Sequence, residues 1–157
     1  FFILYAEKSG GLSLNRANIF LGLLLICFMI GRYAGAYLMT KYNAAKLLTL
    51  FAAGSVILSL VIVFAGGMPG VISFLGVEFF MSIMYPTIFS MGIKNMGEKT
   101  EIASAYLVMM IVGGALLPPV LGFVADKTTI QTAYFVPLVC FVIITLYARK
   151  ELGAEKK

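Results

Sequence analysis

Five long apolar runs constrain this chain more than any other feature: Ala17–Met39, Leu47–Ala65, Val71–Ile93, Ile102–Val124 and Thr132–Ala148. At a helical rise of about 1.5 Å per residue they extend about 25–35 Å, the depth of a bilayer's hydrocarbon core. Hydrocarbon offers no partner to an open N–H or C=O, so each run is expected to be a helix. Runs this apolar also lack the alternation of a lipid-facing barrel strand. Composition agrees: 61% of the residues are hydrophobic and 12% charged, against about 45–50% and about 25% in soluble domains. A chain of 157 residues cannot hide that excess in a core, because much of its surface faces outward. The expected fold class is an all-α membrane protein: a bundle of five full transmembrane helices, with Phe1–Ala6 as the end of a sixth. No basic leader and cleavage site precede that apolar start, so the chain reads as a fragment missing its amino-terminal part.

The net charge of +5 does not signal nucleic acid, because the basic residues stand singly between apolar runs and form no patch with exposed aromatics. They report orientation instead. Lys8, Arg16 and Lys127 fall on one side; Lys41, Lys46, Lys94, Lys99, Arg149, Lys150, Lys156 and Lys157 fall on the other. The positive-inside rule puts the larger set in the cytoplasm. A multi-pass protein of the cell (inner) membrane is expected, with residues 1–148 as the helical unit and Arg149–Lys157 as a cytoplasmic tail. The chain has no His, and Cys27 and Cys140 lie inside apolar runs as small packing residues rather than metal ligands or a disulfide framework. No nucleophile elbow, phosphate loop or paired mid-depth carboxylates occur, so no enzyme, metal site or organic cofactor is expected.

An ionisable side chain at membrane depth costs roughly 2.5–3.5 kcal/mol on insertion scales and needs a reason. Glu78 lies about 10 Å into its run, with Ser82, Tyr85 and Phe89 following at helical spacing. Aromatic rings stack on the apolar faces of pyranoses while carboxylates and phenols take their hydroxyls, so the stripe suits a sugar. The other readings of Glu78 are a neutral acid bonded to a neighbouring helix and a proton-coupling group. Arg32 lies near the cytoplasmic end of its run, where it can snorkel or bond a helix terminus. Gly31 and Gly35 beside it form a GxxxG pair that permits close helix approach. Gly113-Gly114 and Pro118-Pro119 predict a kink in Ile102–Val124, and Pro86 predicts a second directly after Tyr85. The candidate substrate-binding set is Glu78, Ser82, Tyr85, Phe89, Met110, Gly113 and Gly114; the gating set is Gly31, Arg32, Gly35, Pro86, Pro118 and Pro119. Leu47–Ala65 and Thr132–Ala148 carry no charge and are expected to be lipid-facing scaffold.

The run MSIMYPTIFSMGIKNMG (Met81–Gly97) resembles the tenth helix and following loop of the fucose–galactose–glucose:proton symporters, a family of the major facilitator superfamily. VMMIVGGALLPPVLGFVAD (Val108–Asp126) is similar to their eleventh helix, and IGRYAGAYLMTKYNAAK (Ile30–Lys46) to their eighth helix and next loop. VPLVCFVIITLYA (Val136–Ala148) fits their last span, and the YPTIFS and GIKN segments are nearest the branch that carries L-fucose. The resemblance makes the five runs helices eight to twelve of a twelve-helix carrier, whose second half this chain would supply. It implies secondary active transport of a monosaccharide, L-fucose or a related hexose, by proton symport, with the proton as the coupling ion. The partners implied are the sugar, the bilayer and the missing amino-terminal half. In that family the proton-coupling acids lie in the absent half, so none is assigned here. Glu78 stands where relatives carry a neutral residue, and Met81 where glucose/galactose-type relatives carry an amide. The alternative from another class is a non-transporting membrane receptor or assembly subunit on the same scaffold.

Overall fold

The computed structural model describes residues 1–94 and 96–154; Lys156 and Lys157 of the basic end, and Asn95 of the GIKN segment, lie outside the described residues. In chain order the helices are α1 (Phe2–Lys8), α2 (Leu14–Lys41), α3 (Ala44–Phe64), α4 (Gly67–Met81), α5 (Met84–Ile93), α6 (Thr100–Met109), α7 (Ile111–Lys127), α8 (Ile130–Ala133) and α9 (Phe135–Ala154), with a 3-10 turn at Gly97–Lys99. Merged across their breaks they make five stretches long and apolar enough to cross a membrane: Leu14–Lys41, Ala44–Phe64, Gly67–Ile93, Gly97–Lys127 and Ile130–Gly153. Most ends extend past the apolar runs, because helical hydrogen bonding continues into the headgroup zone after hydropathy falls away. The segment read as a tail after Ala148 is likewise helical through Ala154.

Prolines account for two of the three breaks. Pro86 has no N–H for the Ser82 carbonyl, and its ring crowds that carbonyl, so the helix opens at Ser82–Ile83. The kink expected after Tyr85 therefore sits one turn earlier. Pro137 acts in the same way on Ala133, and the chain turns at Tyr134 between α8 and α9. The third break falls in the span expected to kink, ahead of Gly113-Gly114 and not at the prolines. α7 runs unbroken through Pro118 and Pro119, and the discontinuity lies at Met110. There the Gly113 N–H donates to the Met110 carbonyl at 3.0 Å, a tightened three-residue turn that glycine, a poor helix former, admits easily.

α3 is the centre of the bundle, held between α4 and α9, while α2 packs on the other side of α4. Leu47–Ala65 and Thr132–Ala148, expected to be lipid-facing scaffold, each turn one face inward and leave the other outward. Leu48, Phe51, Ala52, Ser55, Ser59 and Ile62 of α3 are buried, as are Leu138, Phe141 and Ala148 of α9; Leu50, Ile57 and Phe64 face outward. Lipid and core are equally apolar, so hydropathy does not say which face turns inward; small residues do. Gly54 makes room for the Phe80 ring and Gly76 for Leu58. Gly31 and Gly35 are buried against the α4–α5 junction, where an added Cβ would strike the Phe79 carbonyl and the Ile83 side chain. α1 is fastened by Phe2, Tyr5, Phe74 and Tyr134, whose rings meet edge to face at 4.9–5.4 Å. The Tyr5 hydroxyl also donates to the Ile62 carbonyl at 2.7 Å.

The glycine contacts yield a contrast. Gly31→Ala forces a Cβ onto backbone and is expected to cost about 1–3 kcal/mol of stability. Gly22→Ala, with nothing within 4 Å of the new atom, is expected to be neutral or slightly stabilising. Thermal unfolding of both variants in detergent checks it; equal melting temperatures would contradict the close packing.

Candidate functional site

Two separate cavities receive five of the seven predicted binding residues. The first, about 300 Å³, lies between α5 and the α6–α7 span and is lined by Tyr85, Ile88, Phe89, Leu107, Met110, Ile111 and Gly114. Tyr85 and Phe89 stand one turn apart on α5 with ring centroids 6.2 Å from each other. The Tyr85 phenol is the one lining side chain with a hydroxyl; the rest of the wall is aliphatic, aromatic or thioether. A Cβ built on Gly114 meets nothing within 4 Å, so the glycine leaves open volume on the cavity's far side. Such a wall can stack a ring face and hydrogen-bond one or two hydroxyls, and it offers no nucleophile or acid–base pair.

The second cavity, about 210 Å³, holds Glu78. It lies over α3 between α4 and α9, lined by Phe2, Ser59, Ile62, Phe74, Val77, Glu78, Met81, Tyr134, Pro137 and Phe141. The Glu78 carboxyl has no hydrogen-bond partner among the described residues. Ser82 reaches neither cavity: it is buried against Gly31, and its hydroxyl donates to the Phe79 carbonyl at 2.7 Å. Gly113 is exposed and not part of either wall. The Glu78–Ser82–Tyr85–Phe89 stripe is thus split. Its helical spacing assumed a continuous helix, and the break ahead of Pro86 sends Tyr85 and Phe89 toward α6–α7 while Glu78 faces α3 and α9.

Of the predicted binding set, Tyr85, Phe89, Met110 and Gly114 come together, and Glu78, Ser82 and Gly113 lie elsewhere. Ile88, Leu107 and Ile111 were missed. Their signal was present in the spacing: Ile88 is three residues from Tyr85, and Leu107, Met110, Ile111 and Gly114 share one helical face. Arg32 is exposed on α2, with its guanidinium carbon 6.0 Å from the Phe28 ring centroid.

An unpartnered carboxyl in an apolar pocket is a burden on stability. Glu78→Met is therefore expected to raise the melting temperature, by a free energy on the order of 1 kcal/mol. A fall instead, measured in detergent, would mean that a group outside this chain engages the acid.

The α6–α7 span is the most open part of the bundle, with none of its most apolar stretch buried inside the chain. No family model matches the chain. It is 41% identical over 151 residues to the L-fucose-proton symporter of Escherichia coli, a match covering 95% of this chain and 34% of that protein. It is 35% identical over 119 residues to the glucose/galactose transporter of Brucella abortus, covering 76% of this chain and 29% of the relative. The crystal structure of the major facilitator superfamily transporter FucP in its outward conformation superimposes with a TM-score of 0.90 at 41% identity, covering 94% of this chain and 36% of that one. The chain thus spans about a third of the length of the proteins it matches. Over that third it has the fold of the carboxy-terminal part of the major facilitator superfamily, and it is a relative of the L-fucose-proton symporter and the glucose/galactose transporter.

Proposed function

We propose that this chain is the carboxy-terminal half of a secondary transporter that moves a monosaccharide, L-fucose or a related hexose, across the cell membrane together with a proton. The observation that carries this reading is the cavity walled by Tyr85, Phe89, Met110 and Gly114. It combines two aromatic rings and one phenol hydroxyl, the pairing that a pyranose with one apolar face and a rim of hydroxyls requires. It also adjoins the α6–α7 span, whose apolar stretch is unburied within the chain. The amino-terminal half of the carrier covers that side in this reading, and supplies the acids that take up the proton.

In transport, the two halves rock about the sugar and expose it alternately to each side. The close seat of Gly31 and Gly35 on the α4–α5 junction lets α2 move with that kinked span as one body. The breaks at Ser82–Ile83 and Met110 allow α5 and α6 to adjust around the ligand. Arg32 stabilises one gate state at the end bearing Lys41, Lys46 and Arg149, which the excess of basic residues assigns to the cytoplasm, together with the carboxy-terminus. Pro118 and Pro119 leave the carbonyls of Gly114 and Ala115 without helical donors beside the cavity.

Uptake of labelled L-fucose by the full-length carrier in a transport-deficient bacterial host tests the reading. Tyr85→Phe removes one hydrogen bond and is expected to raise the apparent KM up to about ten-fold. Tyr85→Ala, which also removes the stacking surface, is expected to weaken it further. Unchanged KM in Tyr85→Ala would remove the cavity from the transport path. Uptake that ignores the pH gradient would remove the proton.

A further inference from the structure

All acidic residues of this chain lie outside Lys8–Val77: Glu7 precedes that stretch, and the next acid is Glu78. Within it α2 and α3 are joined by only Tyr42 and Asn43, and the joint carries Lys41 on one side and Lys46 on the other. The Asn43 side chain accepts from the Ala45 and Lys46 N–H groups at 2.8 and 3.3 Å, so the first turn of α3 is capped from within. The two ammonium groups are not neutralised in the same way. Lys41 rests its Nζ 4.7 Å from the Tyr37 ring centroid, and neither lysine has an acidic partner among the described residues.

Beside this joint a groove of about 200 Å³ opens between the two helices, lined by Leu38, Tyr42, Lys46, Leu47, Leu50 and Phe51. Phe51 is buried in its floor, met edge to face by Phe80 at 5.2 Å and at a tilt by Phe79 at 6.0 Å, while Leu50 and Tyr42 on the rim are 66% and 60% exposed. Its walls are mostly hydrocarbon, one cation, Lys46, stands in its lining, and Lys41 follows Leu38 and precedes Tyr42 of the same wall. That order, an apolar slot ending beside lysines with no acidic partner among the described residues, matches a phospholipid with an acyl chain along the slot and its headgroup at the lysines.

We propose that the α2–α3 groove binds an anionic phospholipid, its phosphate held by Lys46 and Lys41 and its acyl chain lying on Leu38, Leu47, Leu50 and Phe51. The lipid supplies the counter-charge that this stretch of sequence lacks. A zwitterionic lipid fills the slot equally well but brings no net negative charge, so the headgroup decides the selection. The site is distinct from the Tyr85 cavity and does not depend on which solute the protein carries.

The test is native mass spectrometry of the full-length carrier, released from detergent after incubation with phosphatidylglycerol or with phosphatidylcholine of identical acyl chains. The unaltered protein is expected to retain phosphatidylglycerol preferentially. Lys41→Gln and Lys46→Gln are each expected to lower that retention about five-fold, while Lys41→Arg and Lys46→Arg keep it. Arg16→Gln, at the opposite end of α2, is expected to leave it unchanged. Lys46→Glu provides a further variant in which retention must fall, should a glutamine form fail to fold. Equal retention of the two lipids by the unaltered protein overturns the proposal, as does undiminished phosphatidylglycerol in the glutamine variants. Release of the bound lipid by millimolar inorganic phosphate would reveal a bare-anion site and overturn it too.

Discussion

Everything in this bundle follows from the loss of water as a hydrogen-bonding partner inside the bilayer. Each backbone group in the apolar core must find its partner within its own helix, and so the chain is helical nearly throughout. The same constraint removes the ordinary reason for helices to associate, because lipid tails are as apolar as leucine. Association then rests on close fit and on a few polar contacts. The glycines at 31, 35, 54 and 76 supply the fit, each opposite a carbonyl or a bulky side chain of the next helix. The Tyr5 hydroxyl on the Ile62 carbonyl and the Gln131 amide on the Val63 carbonyl, both 2.7 Å, supply the polar contacts, and both tie other helices to the last turns of α3.

The number of spans and their order were legible because each is an apolar run bounded by charges or by glycine and proline. The inward face of each was not. In α3 the buried face carries Ser55 and Ser59 beside Leu48, Phe51 and Ile62, while the outward face carries Leu50, Ile57 and Phe64, so both faces are apolar. An amphipathic rule developed for water finds no inward face on such a helix. The breaks were only half legible. Pro86 and Pro137 act one turn upstream of themselves, on carbonyls whose identity the sequence states directly, yet the paired prolines at 118 and 119 leave the helix unbroken.

The candidate site shows how one unrecognised break divides a set of residues. Tyr85, Phe89, Met110 and Gly114 meet because each half of the arrangement is locally regular: one turn of α5 faces a run across the α6–α7 joint. Glu78 stands only seven residues before Tyr85 and still faces a different pocket. Chemistry that suggested one sugar-binding stripe is distributed between an aromatic cavity open to the unburied side and an acid lodged over the central helix. The first has the shape of a binding wall. The second is a polar group with no hydrogen-bond partner among the described residues.

The break at Ser82–Ile83 gives the span Gly67–Ile93 two arms of unequal length. The longer arm is clamped through Phe79 to Gly31 and through Phe80 to Gly54. Tyr85 belongs to the shorter arm, three residues past the carbonyl that proline leaves without its usual donor. A molecule pulling on the phenol thus applies its leverage next to a joint instead of midway along a stiff rod, and Thr87, buried two residues further along with its hydroxyl 3.1 Å from the Met39 sulfur, passes that pull to α2.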